Sequence, residues 1–90
     1  MTQIGRMPWT ARIALRRIAE AHTVSESELR DGRHASATLA REALIVWVRD
    51  TVRVKHRPPS FAEIGAWLGL TRGAAARAYR RNRARRDVQP

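Results

Sequence analysis

The chain contains no cysteine, so neither a disulfide framework nor a thiolate metal site is open to it, and nothing in it calls for an oxidising compartment. Long apolar runs are also missing: none approaches the roughly 20 residues that cross a bilayer. The start, Met1 to Trp9, lacks the apolar stretch of a secretion signal, and a cytoplasmic protein is the expectation. Carboxylates are few, 8 Asp and Glu against 18 Lys and Arg. The resulting net charge of +10 and pI near 11.8 leave a surplus of arginine that a polyanion would satisfy. With 90 residues and 43% hydrophobic composition, one small helical core is affordable and a deep substrate cavity is not.

Catalytic groupings are equally scarce. Glu20, Glu26, Glu28, Glu42, Asp50 and Glu63 have plainer uses as helix caps or as partners of arginines, Asp50 in particular. Ser25, Ser27, Ser36 and Ser60 have no base near them in sequence. His22, His34 and His56 stand far apart without a partner at metal-ligand spacing. No Gly-rich phosphate loop followed by Lys and Ser or Thr occurs. The expectation is a protein that is not an enzyme and needs no cofactor or metal.

What is present is helical patterning. Apolar residues at spacings of three and four from Thr10 to Ala21 predict an amphipathic helix capped by Thr10, with Trp9 folding back on the core. Ser25 with Glu28 gives the spacing of a capping box for a short second helix that Gly32 ends. The stretch from about Ala35 to Lys55, with Ala43-Leu44-Ile45-Val46-Trp47-Val48 at its middle, predicts a long central helix buried on most sides. His56-Arg57-Pro58-Pro59 stops it. Trp47 and Trp67 are both expected in the core.

From Ser60 to Arg81 the residue types change in a telling way. Ser60 and Glu63 repeat the capping-box spacing, Ile64, Leu68 and Leu70 form a seam, and the small Gly65 falls where two helices touch. Gly69 falls at a turn where positive φ suits glycine. Thr71 can cap a last helix whose exposed positions carry Arg72, Arg77, Arg80 and Arg81, as a helix laid in the major groove requires. Arg77 is the best candidate to reach a base. Ala74 and Ala75 suit close approach, Tyr79 suits either a phosphate bond or the helix seam, and Arg83, Arg85 and Arg86 suit phosphates. Like charges should fray the chain beyond Arg81 into a basic tail.

Val24-Ser25 with Glu28-Leu29, Arg33-His34, Ala40-Arg41, Arg49-Asp50, Ser60 with Glu63-Ile64-Gly65, and Leu68-Gly69 together resemble the DNA-binding C-terminal domain of the bacterial replication initiator DnaA, within the wider group that includes the Trp repressor. The resemblance runs from Ala11 to Arg81. It implies that Arg33 and His34 lie in a basic loop near the DNA backbone, that Ser60 starts the supporting helix, and that Thr71, Arg72, Gly73 and Ala74 open the recognition helix. Where the family has Arg-Asp-His-Thr, this chain has Thr71-Arg72-Gly73-Ala74, so a different target from an origin box is implied. A second similarity, of Ser60 to Gly73 to region 4 of bacterial sigma factors, covers the final third only.

Together these readings predict an all-α chain of about five helices: a lead-in over residues 1–9, a helix-turn-helix DNA-binding domain over 10–81 and a basic tail over 82–90. The expected partner is double-stranded DNA, met by the helix from Thr71, with Arg33, His34, Lys55, Arg57, Ser60, Arg83 and Arg85 on the backbone. Transcription regulation in the bacterial or phage cytoplasm, at the nucleoid, is the expected use. The rival readings are a phage-type replication or DNA-packaging accessory factor, an adaptor on RNA polymerase or other transcription proteins, and RNA binding through the arginine-rich end.

Overall fold

The computed structural model describes residues 7–88, with side chains described through residue 84. Five α-helices follow in the predicted order: α1 (Trp9–Ala21), α2 (Glu26–Asp31), α3 (Ala35–Thr51), α4 (Phe61–Leu68) and α5 (Arg72–Val88). Among the described residues there is no strand, only one isolated bridge between Val54 and Arg57. The fold is all-α. No described helix is long and apolar enough to cross a membrane.

Helix α1 begins one residue earlier than its periodicity suggests. Pro8, at φ −57° and ψ 149°, takes the cap position with no side-chain bond. Its fixed φ suits the extended lead-in, and its carbonyl accepts from the Arg12 N–H at 3.0 Å. Thr10 is therefore an interior residue and caps nothing. Ala11, Ala14, Leu15 and Ala19 form the buried stripe of α1, while Trp9 is 65% exposed and does not fold onto the core. At the far end the Thr23 N–H bonds the Glu20 carbonyl and the Val24 N–H the Ala19 carbonyl. These bonds close the helix in a Schellman-like turn whose left-handed residue is Thr23, at φ 56°.

The six residues of α2 are too few to be stable alone. Both bonds of the Ser25–Glu28 capping box are made, at 2.9 and 3.0 Å. Arg41 of α3 donates to the carbonyls of Leu29 and Gly32, groups that the end of a helix leaves without partners. A Cβ on Gly32 would stand 2.5 Å from the Glu28 carbonyl oxygen and 2.9 Å from the Ala37 side chain, so only glycine lets α2 and α3 meet this closely.

Helix α3 is the hub, in contact with all four others. Leu44, Ile45, Val46 and Val48 are buried as the apolar run predicts, but Trp47 is 39% exposed, which removes it from the core. The helix ends at Thr51 rather than Lys55. The Val54 N–H and carbonyl bond reciprocally to Arg57, at 2.6 and 3.1 Å, with Lys55 and His56 at φ 52° and 69° between them. That is a two-residue hairpin turn of the mirror-image kind, and it reverses the chain before Pro58 is reached.

Ser60 and Glu63 complete the second capping box, at 2.9 and 3.1 Å. After α4, Gly69 adopts the left-handed conformation at φ 72°, and the Leu70 N–H returns to the Gly65 carbonyl at 2.7 Å. Gly65 is buried against that turn: a Cβ there would lie 2.5 Å from the Leu70 carbonyl oxygen. Helix α5 runs on to Val88, so residues 82–88 continue it where a frayed tail was expected. At the start of this extension Asn82 is buried and Arg83 bonds Asp50 of α3.

Thr23 is β-branched and held at positive φ, a conformation that costs an L-residue about 1–2 kcal/mol. Thr23→Gly is expected to raise stability by about 0.5–1 kcal/mol in urea unfolding with unchanged m-value. A loss would mean that the threonine side chain contributes more than its backbone costs.

Candidate nucleic-acid interface

Helix α5 buries Ala75, Ala78 and Asn82. At about 100° per residue, the face opposite them carries Gly73, Arg77, Arg80 and Ala84, and all four are exposed. Arg77 and Arg80 make no ion pair among the described residues, and their charge lies along one exposed ridge. The Arg77 guanidinium lies back over Gly73, 3.3 Å from where a Cβ on that glycine would be. Ala84 belongs to the ridge although sequence reasoning passed over it; its spacing of four from Arg80 and seven from Arg77 was the available signal.

Around the opening of α5, Thr71 Oγ1 accepts from the Ala74 N–H at 3.1 Å and caps the helix as expected. Arg72 is exposed at the first position, and Ala74 is half-buried. A phosphate could approach Arg72 without meeting a carboxylate.

Two further arginines of this helix, Arg81 and Arg83, are paired with carboxylates of α3. Arg81 Nε bonds Glu42 Oε2 of α3 at 2.8 Å, where the Glu42 side chain is only 3% exposed. Arg83 Nη1 meets Asp50 Oδ2 at 3.1 Å, and the Tyr79 hydroxyl donates to Asp50 Oδ1 at 2.8 Å. Asp50, by accepting that bond, raises the Tyr79 pKa. Tyr79 thus belongs to the helix seam, where it also packs on Phe61 at 5.4 Å between ring centroids. Arg49 lies over the other side of that cluster, 4.6 Å from the Phe61 centroid, and donates to the Pro59 carbonyl. Arg85 lies outside the residues whose side chains are described.

Several positions expected on the DNA backbone also have work within the fold. His34 Nδ1 accepts from the Ala37 N–H at 3.3 Å as the cap of α3, and its Nε2 faces Glu28 Oε2 at 3.2 Å. An imidazole that accepts at Nδ1 carries its proton on Nε2, which then donates to the carboxylate. The capping bond from Ser25 and the contact with His34 hold Glu28 below the usual carboxylate range. Ser60 is an N-cap, and Arg57 Nη1 bonds Glu63 Oε1 at 2.8 Å. Arg33, in the α2–α3 connection, and Lys55, at the tip of the 54–57 turn, are exposed and have no ion pair among the described residues. Lys55 and His56 occupy left-handed backbone without being glycine, which fixes the tip at a cost of about 1 kcal/mol or more each.

The arrangement as a whole is a two-helix unit with a sharp glycine turn, one uncompensated arginine ridge, and a rigid basic turn preceding it. In comparisons with protein-family models, curated proteins and solved structures, no match to the chain was found.

Two outcomes test this partition of charges. Arg81→Ala is expected to cost about 1.5–3 kcal/mol in urea unfolding because it removes a charge-assisted bond to the nearly buried Glu42 carboxylate, whereas Arg80→Ala should stay within about 0.5 kcal/mol of wild type. Comparable values for the two would contradict it. Glu63 is held at about 2, against an ordinary 4.5, by Arg57 first and by the Ser60 N–H next. The folded state therefore binds fewer protons than the unfolded one, and this contribution is present above about pH 4.5 and disappears as pH falls through 2. After screening by solvent, Glu63→Gln should lose about 1 kcal/mol at neutral pH, the gap from wild type closing on acid titration.

Proposed function

We propose that the chain is a double-stranded DNA-binding protein in which α4 and α5 act as a helix-turn-helix and α5 lies in the major groove. The observation that carries this is the ridge of Arg77 and Arg80, which meets no carboxylate among the described side chains and is flanked by the small Gly73 and Ala84. Small residues let the helix backbone come close to the groove, and an arginine within it can pair with the two acceptors of a guanine edge. Arg77 is the proposed base reader, one turn beyond the opening of the helix. Arg72, Arg80, Lys55 and Arg33 take phosphates, which fix register without reading sequence. Arg81, Arg83, Arg57, His34 and Ser60 drop out of the proposed contact set because the fold already uses them.

The succession of α1 and α2, the long α3 and the α4–α5 pair accords with the resemblance to the DnaA C-terminal domain and the Trp repressor group. That kinship is part of the proposal, as are transcription regulation as the biological use and the bacterial or phage nucleoid as its place. A reading centred on the last two helices alone, as in sigma region 4, leaves the contact of α3 with every other helix without a purpose.

Selection from a random duplex pool, at low and at about 0.15 M salt with RNA as competitor, tests the proposal. A motif that survives the higher salt is expected. Binding that disappears with salt, or that moves to the RNA, would overturn it. On the selected site Arg77→Ala should cost about 1–3 kcal/mol and much less on unrelated sequence. Arg80→Ala should lower the log–log salt slope by about 0.9 on every sequence, and Arg83→Ala should leave the slope unchanged. Equal loss on all sequences for Arg77→Ala would remove it from the reading role.

A further inference from the structure

On another side of the molecule, α1 and α3 leave a hollow of about 280 Å³ between them, lined by Trp9, Ile13, Ile18 and Trp47 together with Arg17. Three of these apolar side chains are open to solvent: Trp9 at 65%, Trp47 at 39% and Ile13 at 38%. Single exposed apolar residues are ordinary, but two tryptophans and an isoleucine facing one hollow are not. Tryptophan is also the residue type that most often anchors a protein interface. The volume falls short of the roughly 300–1,000 Å³ of a typical small-molecule pocket, yet it accommodates one or two large side chains of a docking partner.

The charges on the α1 side of the hollow have one dominant sign, and Asp50, three residues beyond Trp47 on α3, is held by Tyr79 and Arg83. Arg17 lines it, and Arg12 and Arg16 lie three residues beyond Trp9 and Ile13, hence beside them on the helix. All three are exposed and without an ion pair among the described residues, and Glu20 is the single carboxylate of α1. A second copy of the chain is a poor occupant. Each copy carries a net charge of +10, and a two-fold interface would set the same arginines of both copies against one another. A flat membrane surface does not fill a hollow between two helices.

We propose that this hollow docks an acidic amphipathic helix of a partner protein, with large apolar side chains seated between Trp9 and Trp47 and carboxylates over Arg12, Arg16 and Arg17. The docking does not depend on DNA binding by α5. On α3, Glu42 and Asp50 mark the side that meets α5. At about 100° per residue, Trp47 stands about 100° round from the middle of that side. DNA on the outer ridge of α5 and a partner at Trp47 are thus compatible in one complex.

The test is selection of 16-residue peptides from a displayed random library on the full chain, followed by fluorescence anisotropy with the enriched peptides. Enriched sequences should be net negative, with large apolar residues three or four apart. Their affinity should fall at least tenfold against Trp9→Ala and against Arg17→Glu, and stay within twofold against the double variant Arg77→Ala, Arg80→Ala. Neither Trp9 nor Arg17 is part of the buried core, so both variants remain folded, as circular dichroism would verify. Neutral or basic winners would overturn the proposal, as would acidic winners indifferent to Trp9 and Arg17 but lost in the α5 double variant. So would a Trp9-dependent dimer in sedimentation, Trp9-dependent binding to anionic phospholipid vesicles, or peptide affinity that rises tenfold when residues 1–6 are deleted. These last three would assign the hollow to a second copy, to a lipid surface or to the chain's own start.

Discussion

Glu42 sits in the packed seam between α3 and α5 with its side chain 3% exposed, and a carboxylate so placed is costly unless a cation meets it. Arg81 does so at 2.8 Å, and about two turns of α3 further on Asp50 takes Tyr79 and Arg83. These contacts fix the rotation of α5 about its own axis. An alanine-rich helix gives the seam little shape of its own: Ala75 and Ala78 would pack almost as well after a small roll. With the roll fixed by charge, Gly73, Arg77, Arg80 and Ala84 are left facing outward, and the polar bonds of the seam thereby decide which arginines a nucleic acid could meet.

The shorter elements depend on their ends more than on their length. Neither α2 nor α4 has the residues to sustain itself. Each opens with a complete capping box, and each closes on a group supplied by its neighbours: Arg41 on the carbonyls of Leu29 and Gly32, and Gly69 turning the chain so that Leu70 bonds back to Gly65. Arg49 joins this scheme by holding the Pro59 carbonyl and covering Phe61. Half the basic residues near the proposed interface are therefore structural, and the exposed charge is more focused than the net charge suggests.

Features governed by neighbours three or four apart were legible in the sequence. The five helices, the caps at Ser25, Ser60 and Thr71 and the glycine turn at Gly69 all follow from local chemistry. Features set by distant residues were not. Arg81 and Glu42 are 39 positions apart, Arg83 and Asp50 33, and nothing in either pair announces the other. The apolar run suggests burial on most sides with Trp47 in the core, yet the helices around α3 leave Trp47 exposed. The end of α3 was misplaced because its turn uses Lys55 and His56 in a conformation normally left to glycine or asparagine. Threonine suits the cap role better than proline does, yet Pro8 rather than Thr10 fills it.

The connection between α3 and α4, residues 52–60, is long enough to carry slack but has little. Val52 and Pro59 are buried, Arg49 grips the Pro59 carbonyl, and the paired bonds between Val54 and Arg57 close the middle. The tip at Lys55 and His56 is exposed. Chain length there can change without altering the phase of α4 relative to α3, whereas a residue added or removed on either flank would shift the register of everything downstream. The tip is accordingly the natural place to insert a foreign loop or a reporter label while keeping the two ends of the molecule in their present alignment.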